Sequence, residues 1–509
     1  MVPARLSSAA FEPIPLGRCI PDAPHAVSCS LPTMQAVHGY ERRDPGITRH
    51  LTSGYPRFVV HPCARRLAEH FVATHPELAG RTLWLTASDR MAAALRDHLG
   101  AHADGRIFAG DGLRGVSHPA GDAETYGRAK LFLQHLGGFV SSREAEDGLV
   151  RLGLQAAPRP EPAFTGDAAA EVRRQLLPAL TGAGERDLFL ANSGMNAVYS
   201  AFRAISEVQA PRGRSLWLQL GWLYLDTIAV LKKFTRSPAD YLLVHDVSDR
   251  AALEGIFAAH GSRLAGVVAE VPTNPLIQTP EVEALAALCR RHGVRLVLDP
   301  SISSAFNLDV LRHADAAVSS LTKYAASEGN VIAGFAAVNP AAPDADALRR
   351  GLAAHLEPIY PRDLAVLAAQ IGRSREVLAR IHATVPRVVA FLAAHPAVKR
   401  VYWALQPDSR ENYRRLARAP DATGGVVSFS LRLPLERFYD RVRLPKGPSF
   451  GMKTTLLCPF MYLAHYDLVT TDAGREELAA RGLDPELLRL SVGAEPADEI
   501  IAALAEALD

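Results

Sequence analysis

Residues 317–324 form an apolar run that ends on hydroxyl groups and a lysine: Ala317-Val318-Ser319-Ser320-Leu321-Thr322-Lys323-Tyr324. A short apolar run of this kind is typical of a buried strand in an α/β sheet. Such sheets bind ligands beyond the carboxyl ends of their strands, which is where Lys323 would lie. If the strand continued to Thr322, Ser320 and Thr322 would share one face; in a turn, their hydroxyls could converge on one anion. Taken alone, a solvent-exposed lysine is the more ordinary interpretation.

Length and composition favour a globular protein of several domains. A chain of 509 residues exceeds what one hydrophobic core usually organises, so two or three domains are expected. The net charge of +2 gives no electrostatic argument for a nucleic-acid or anionic-membrane partner. The five cysteines are scattered without a CxxC pair, which indicates neither a metal site nor a disulfide framework and fits a cytoplasmic location. No apolar run reaches the roughly 18 residues of a membrane-spanning helix, and residues 1–20 do not resemble a signal peptide.

The order of predicted elements divides the chain into four segments. These are an N-terminal arm (1–75), an inserted αβ segment of unknown role (76–166), a large domain (167–345), and a linker helix with a smaller α+β C-terminal domain (346–509). In the large domain, short apolar runs alternate with amphipathic helical patterns. That alternation predicts an α/β fold with a mostly parallel sheet covered on both faces.

The sequence predicts individual helices and strands in two of these segments. In the inserted segment we expect a strand at 81–85, helices at 89–99 and near 124–136, and an irregular Gly/Asp-rich stretch at 104–122. Residues 360–395 read as one long helical stretch that joins two domains, with a kink before Pro386.

Several elements of the large domain end on polar residues at the expected edge of the sheet. They are Ser193-Gly194-Met195, Glu270 with Asn274, Asp299, and Ser320 with Thr322 and Lys323. A helix that begins at Ser-Gly offers free backbone N–H groups and a positive dipole end to a phosphate. A buried aspartate is costly unless it faces a cation. A lysine beside a phosphate site and a buried acid is how proteins hold pyridoxal phosphate, with the lysine in a Schiff base and the acid at the pyridine nitrogen.

Together the motifs resemble the cystathionine γ-synthase family of pyridoxal-phosphate enzymes, also called the Cys/Met-metabolism family. In chain order they are Tyr55-Pro56-Arg57, Ser193-Gly194-Met195, Tyr224-Leu225-Asp226-Thr227, Glu270 with Pro272-Thr273-Asn274-Pro275, Asp299, Ser320-Leu321-Thr322-Lys323, Ser449-Phe450-Gly451, and Arg489-Leu490-Ser491-Val492-Gly493. The resemblance covers about residues 25–75 and 170–509. Residues 25–41 are similar to the branch that includes the long fungal cystathionine γ-synthases. The implied fold is that of fold type I, the aspartate-aminotransferase-like class.

The resemblance implies a role for each motif. Lys323 would carry the cofactor and act as a base, Tyr224 would stack on its ring and move protons, and Asp299 would pair with its ring nitrogen. Arg489 would bind the substrate carboxylate, with Ser449 beside it in the substrate site. The other implied cofactor contacts are Ser193, Gly194, Met195, Asn274, Ser320 and Thr322, and Tyr55 and Arg57 reaching in from a neighbouring subunit. The implied assembly is therefore at least a homodimer, and a homotetramer in typical members.

The implied reaction is γ-replacement, in which cysteine and an O-acylated homoserine give cystathionine. The alternative is γ-elimination on another γ-substituted amino acid, for example a halogenated one. Three departures from the family pattern keep this alternative open: Pro300 follows Asp299, Asp226 replaces a glycine, and 325–330 lacks the usual Ser-Gly-His run. A cofactor-free binding or regulatory relative is disfavoured because the lysine, the acid and both anion anchors are retained.

Mixing inactive subunits tests whether two subunits contribute residues to one active site. A dimer of one Arg57→Ala subunit and one Lys323→Ala subunit would hold one site in which both groups are intact. We expect such dimers, purified by two different tags, to regain activity that neither variant has alone. Verified mixed dimers without activity would contradict the prediction.

Overall fold

The computed structural model of the protein describes residues 11–55 and 59–509. Arg57, the predicted phosphate ligand, lies outside the described residues. The N-terminal arm contains a short antiparallel pair and three helices: β1 (Cys19–Ile20), β2 (Ser28–Cys29), α1 (Met34–Glu41), α2 (Pro45–Thr48) and α3 (Pro62–Thr74). The arm packs on the C-terminal part of the same chain, where the Met34 backbone N–H donates to Asp440 at 2.8 Å and Lys446 Nζ donates to the Pro32 carbonyl at 2.8 Å.

The inserted segment forms a three-stranded antiparallel sheet of order β3-β5-β4 with helices packed on it. Its elements are β3 (Arg81–Leu85), α4 (Asp89–Leu99), β4 (Arg106–Gly110), β5 (Leu113–Pro119), α5 (Ala123–Leu136) and α6 (Ser142–Arg151). The predicted irregular stretch at 104–122 was therefore wrong, because it contains a hairpin. Asp111 and Gly112 form its turn with φ of 49° and 71°, the left-handed conformation that two-residue hairpin turns require.

The large domain is built on a seven-stranded sheet of order β6-β12-β11-β10-β9-β7-β8. Its elements are α7 (Ala168–Leu176), β6 (Leu188–Ala191), α8 (Gly194–Gln209), β7 (Leu216–Leu220), α9 (Leu225–Phe234), β8 (Tyr241–Val244), α10 (Arg250–His260), β9 (Leu264–Glu270), α11 (Val282–His292), β10 (Arg295–Asp299), β11 (Ala316–Ser320), β12 (Gly334–Val338) and α12 (Ala345–His355). The mostly parallel α/β sheet is confirmed. The sequence reasoning missed β12, which lies antiparallel between β11 and β6.

The C-terminal part contains an antiparallel sheet of order β13-β14-β16-β15. Its elements are α13 (Pro361–Ile371), α14 (Ser374–Ala394), β13 (Val398–Tyr402), α15 (Arg410–Leu416), β14 (Val426–Leu431), α16 (Leu435–Arg441), β15 (Leu456–Pro459), α17 (Phe460–Ala464), α18 (Tyr466–Val469), α19 (Asp472–Ala480), β16 (Leu488–Ser491) and α20 (Ala497–Leu508). The predicted single helix over 360–395 is two helices that break at Gly372 and Arg373, while Pro386 lies inside α14. The three larger sheets fall within the predicted segments, whose boundaries remain predictions.

Helix α14 is the described helix that is long and apolar enough, by length and composition, to cross a membrane. Its residues Leu378, Ile381, Val385 and Val388 are buried in the main hydrophobic core. Such burial is typical of a helix in a protein core, and a core helix can be as long and as apolar as a membrane-spanning one.

A buried ion cluster fastens the arm and the inserted segment to α13. Glu146 of α6 accepts hydrogen bonds from Arg159 at 2.8 Å and Arg362 of α13 at 2.8 Å, and it also contacts His25 of the arm at 3.2 Å. Burial would raise the pKa of Glu146, but the hydrogen bonds from Arg159 and Arg362 outweigh it and hold that pKa well below its usual range. Removing one member of a buried ion pair leaves an uncompensated charge and is strongly destabilising.

The cluster predicts that stability falls in mildly acidic solution. Burial, reinforced by the positive charge of Arg143, lowers the pKa of His25 to about 3 from an ordinary value of 6.5. Between these values the unfolded chain binds more protons than the folded chain, so the free energy of unfolding decreases as pH falls through this window. We expect a lower thermal midpoint at pH 5 than at pH 7, with a smaller drop in His25→Gln. The exposed His102→Gln variant is the control and should keep the wild-type drop; an equal drop in His25→Gln would contradict this account.

Candidate active site

A cavity of about 980 Å³ lies beyond the carboxyl ends of β9, β10 and β11. Its walls come from the arm, the inserted segment, the large domain and the C-terminal part. Every predicted site residue that the structure describes lines it: Tyr55, Ser193, Gly194, Met195, Tyr224, Asn274, Asp299, Ser320, Thr322, Lys323, Ser449 and Arg489. The fold therefore collects into one cavity residues that are up to several hundred positions apart in the sequence.

Lys323 lies in the turn that follows β11, with its amine directed into the cavity. Its Nζ atom donates to Ser449 Oγ at 3.0 Å and contacts the Tyr55 hydroxyl, and it lies 4.8 Å from the centre of the Phe450 ring. Burial, followed by the positive charge of Arg489, lowers the pKa of Lys323 well below its usual value. A neutral amine is the nucleophilic form of lysine, and it is the form that can join an aldehyde.

Two carboxylates lie side by side at the ends of neighbouring strands. Glu270 ends β9 and Asp299 ends β10, and the two residues are partners in the parallel register. Burial raises the pKa of Asp299 to about 6, against the hydrogen bonds that it accepts from Ser301. Burial, followed by the negative charge of Asp299, raises the pKa of Glu270 well above its usual value. This strand end is therefore a place where a bound cation would be stabilised.

The N-terminus of α8 forms the side of the cavity at which a phosphate is expected. Ser193 precedes the helix and its hydroxyl accepts from the Asn196 backbone N–H at 3.1 Å. A Cβ on Gly194 would lie 2.8 Å from the Ser320 Cβ, so only glycine lets the helix start approach the end of β11 this closely. The 16-residue helix directs its free N–H groups and the positive end of its dipole at this point.

The Thr322 hydroxyl is hydrogen-bonded to the backbone of Ala333. Strand β11 ends at Ser320, and Thr322 Oγ1 donates to the Ala333 carbonyl at 3.3 Å and accepts from the Ala333 N–H at 3.0 Å. The hydroxyl thus holds the turn that carries Lys323 and does not converge with Ser320 on one anion. A hydroxyl has one donor, so this bond to Ala333 uses it.

Tyr224 immediately precedes α9, which begins at Leu225. Its backbone N–H donates to Glu270 Oε1, and its hydroxyl donates to Asp226 Oδ2 at 2.9 Å. The backbone N–H and the hydroxyl of Tyr224 are therefore both hydrogen-bonded to acidic side chains of the cavity wall.

Arg489 of β16 lies on the opposite side of the cavity and is buried. It donates to Asn274 Oδ1 at 3.2 Å and to the Ser449 carbonyl at 3.3 Å, and it lies 4.7 Å from the centre of the Phe460 ring. Its Nε atom is buried with no hydrogen-bond partner among the described residues. A buried guanidinium with an unused donor fits a carboxylate ligand. Asn274, predicted as a cofactor contact, is placed here against Arg489.

Tyr55 reaches Lys323 of its own chain. Its hydroxyl lies 3.2 Å from Ser449 Oγ, and its ring centre lies 4.3 Å from Lys323 Nζ. The single chain thus brings the arm to the site without a partner, and the contribution from a neighbouring subunit remains a prediction.

Sequence reasoning missed several residues of the site. Ser301 joins Asp299 to the backbone N–H of Ser320 at 2.8 Å, and Phe450 lies between Lys323 and Arg489. The position of Ser301, two residues after the strand-ending acid, was the available clue to its role. No spacing rule pointed to the inserted segment as part of the wall.

The residues present fit pyridoxal phosphate. The cavity combines an amine whose pKa is lowered by burial, a buried carboxylate that would gain from a protonated ring nitrogen, and a helix N-terminus for the phosphate. The orphaned Nε of Arg489 leaves a further anion site for a substrate carboxylate.

Comparison with known proteins identifies the class. Residues 166–509 match the profile of the family described as Cys/Met metabolism PLP-dependent enzyme, so the chain belongs to this family of pyridoxal-phosphate-dependent enzymes that act on amino acids. The chain is 40% identical over 492 residues to the L-2-amino-4-chloropent-4-enoate dechlorinase/desaturase of Streptantibioticus cattleyicolor, covering 97% of this chain and 98% of that protein. It is 28% identical to the cystathionine γ-synthase of Neurospora crassa, covering 98% of each. The resemblance to the fungal branch is thus found, and the bacterial relative is more similar.

Solved structures confirm the fold. The cystathionine γ-synthase of Xanthomonas oryzae pv. oryzae aligns with a TM-score of 0.55 at 21% identity, over 65% of this chain and 83% of that one. The cystathionine γ-lyase of Lactobacillus plantarum aligns with a TM-score of 0.54 at 20% identity, over 69% and 91%.

Lys323 can be tested as the covalent anchor of the cofactor by absorbance. We expect the purified wild-type protein to be yellow and Lys323→Ala to lose the Schiff-base band, because no other amine would replace Nζ in the cavity. The exposed Lys399→Ala variant is the control and should keep the band. An unchanged spectrum in Lys323→Ala would refute the assignment.

Proposed function

We propose that the protein eliminates the γ-substituent of an amino acid, and that the substituent is a halide. In this reaction a C4-chlorinated unsaturated amino acid would lose chloride and gain one unsaturation, a net loss of HCl. The observation that carries the proposal is the 40% identity to a dechlorinase/desaturase over nearly the full length of both chains. The substrate named for that relative carries its chlorine on C4, which is the γ-carbon.

The departures from the family pattern lie where they would affect substrate choice. Asp226 contacts the hydroxyl of Tyr224, and residues 325–330, which begin two positions after Lys323, contribute Asn330 to the cavity wall. The inserted segment adds Trp84, Tyr126 and Phe139 to the cavity wall. An apolar wall favours an apolar, halogen-bearing substrate chain over a polar O-acyl group.

The proposed roles follow from the positions of the side chains. Arg489, oriented by Asn274 and the Ser449 carbonyl, would bind the substrate carboxylate, so that Cα lies near Lys323. Lys323, neutral and hydrogen-bonded to Ser449, would remove the proton at Cα and return protons along the substrate chain. Bound pyridoxal phosphate supplies the electron-withdrawing ring that stabilises negative charge during these steps.

The second candidate is γ-replacement of the cystathionine γ-synthase type. The full-length similarity to the Neurospora crassa enzyme supports it, at a lower identity of 28%. In that case a thiol would enter the cavity after the leaving group departs. Assembly into at least homodimers and a cytoplasmic location are further proposals that rest on the family resemblance and the composition.

Three assays on one preparation separate these reactions. With a γ-chlorinated amino acid such as L-2-amino-4-chloropent-4-enoate, we expect chloride release and a product lighter by HCl in mass spectrometry. O-succinylhomoserine with cysteine should give little cystathionine, and without cysteine little oxo acid and ammonia. Efficient cystathionine formation without chloride release would overturn elimination in favour of replacement.

Arg489→Lys should separate substrate binding from cofactor binding. Lysine cannot make the bidentate contact of a guanidinium, and a hydrogen bond to a charged group contributes about 1.5–3 kcal/mol, so we expect KM for the amino acid to rise about 10- to 100-fold. The Schiff-base band should persist because Arg489 is proposed to contact the substrate. The exposed Arg400→Lys variant is the matched control, and an unchanged KM in Arg489→Lys would contradict the assignment.

A further inference from the structure

Asp226, one of the departures from the family pattern, meets the inserted segment in space. Asp226, which stands where the family has glycine, is 1% exposed and accepts the Tyr224 hydroxyl hydrogen on Oδ2 at 2.9 Å. Its other oxygen, Oδ1, accepts from Gln134 Nε2 at 2.9 Å. Gln134 belongs to α5 of the inserted segment, so the insert reaches the proposed catalytic tyrosine through one buried carboxylate.

Helix α5 is held rigidly where it meets Asp226. Asn192 donates to the Gly137 carbonyl at 2.7 Å, and Asn196 donates to the Leu136 carbonyl at 3.1 Å. A Cβ on Gly137, whose φ is 66°, would lie 2.0 Å from Ser193 Oγ, so the helix end fits against the anion-binding corner only with glycine there. The last turn of α5 is therefore docked on the start of α8, and its side chains have fixed positions.

A histidine and a lysine lie beside Asp226. His135 Nε2 lies 3.6 Å from Asp226 Oδ1, and His135 Nδ1 lies 3.1 Å from Lys233 Nζ. Because an ammonium has only hydrogens to give, Nδ1 accepts and Nε2 carries the ring hydrogen towards Asp226. A second acidic group, Glu270, accepts the Tyr224 backbone N–H.

We propose that Asp226, fixed by Gln134 and His135 of the inserted segment, is a positioning residue that receives the hydroxyl proton of Tyr224 when Tyr224 takes a proton from the substrate ammonium. The ammonium proton moves to Tyr224 Oη while the hydroxyl proton moves to Asp226 Oδ2. The amine becomes neutral, Tyr224 remains a phenol, and Asp226 becomes a neutral acid. Tyr224 thus acts as a base without forming a phenolate.

The inference rests on the proposed role of Tyr224 and does not require the halide reaction. It gives the inserted segment a function that its sequence did not reveal. It also predicts that the ionisation of a carboxylate, rather than of a phenol, sets the lower pH limit for substrate entry.

The test measures amine entry with L-norvaline, which has no γ leaving group. Each variant is first shown to keep the Schiff-base band. L-norvaline is then added in a stopped-flow instrument, and the rate of the absorbance change is measured as a function of pH. For Asp226→Asn, which keeps the size of the side chain, we expect a rate about 100-fold lower at neutral pH and an acid limb moved to higher pH. The exposed Glu124→Gln variant on α5 is the matched control and should keep the wild-type profile.

Each outcome decides the proposal. A wild-type rate and profile in Asp226→Asn would overturn it, and a uniformly slower rate with an unmoved acid limb would reduce Asp226 to a structural residue. If Asp226→Asn does not load the cofactor, Gln134→Glu decides, because a second carboxylate beside Asp226 should move the acid limb to higher pH. If the acid limb of the pH profile does not move in Gln134→Glu, the proposal is also overturned. If the L-norvaline experiment gives the expected result but no chloride is released from the chlorinated amino acid, only the proposed substrate is rejected.

Discussion

The parallel pairing of β9 and β10 is the constraint on which the site depends. It places Glu270 and Asp299 side by side at the buried end of the sheet, where two negative charges cannot both be accommodated without compensation. The same cavity holds two basic side chains, Lys323 and Arg489, and burial followed by the positive charge of Arg489 lowers the pKa of Lys323. The cavity is therefore arranged for ligands that supply the missing charges, a cationic ring nitrogen beside Asp299 and a carboxylate beside Arg489.

The inserted segment takes part in this arrangement in two ways. Through Glu146 it fastens the arm to α13, and through Gln134 it reaches the carboxylate that holds Tyr224. Both contacts involve a buried carboxylate, so they depend on how the insert docks on the rest of the chain. A segment that looked like an addition to the fold is thus part of the wall of the cavity, in a chain that belongs to the Cys/Met metabolism family of pyridoxal-phosphate enzymes.

Local patterns predicted most of the large domain, because apolar strands and capped helices leave clear periodicities there. The predictions from these patterns failed in two places, where composition or a single proline was given more weight than the turn or helix break nearby. The Gly/Asp-rich composition of 104–122 suggested an irregular stretch, although its Asp111-Gly112 pair is a hairpin turn between two strands. Pro386 suggested a kink, although the helix breaks at Gly372. Tertiary packing holds Pro386 inside α14, whose neighbouring residues are buried.

The sequence by itself determined which chemical groups gather at the strand ends, because parallel strands bring their carboxyl ends to one edge whatever the loops do. Lys323, Asp299 and the start of α8 follow from that rule. Only the tertiary structure decided how side chains pair across the cavity: Thr322 with the Ala333 backbone, and Asp226 with Gln134 at 92 positions distance. The reason is that such contacts depend on side-chain direction and on the docking of separate segments, which no local spacing encodes.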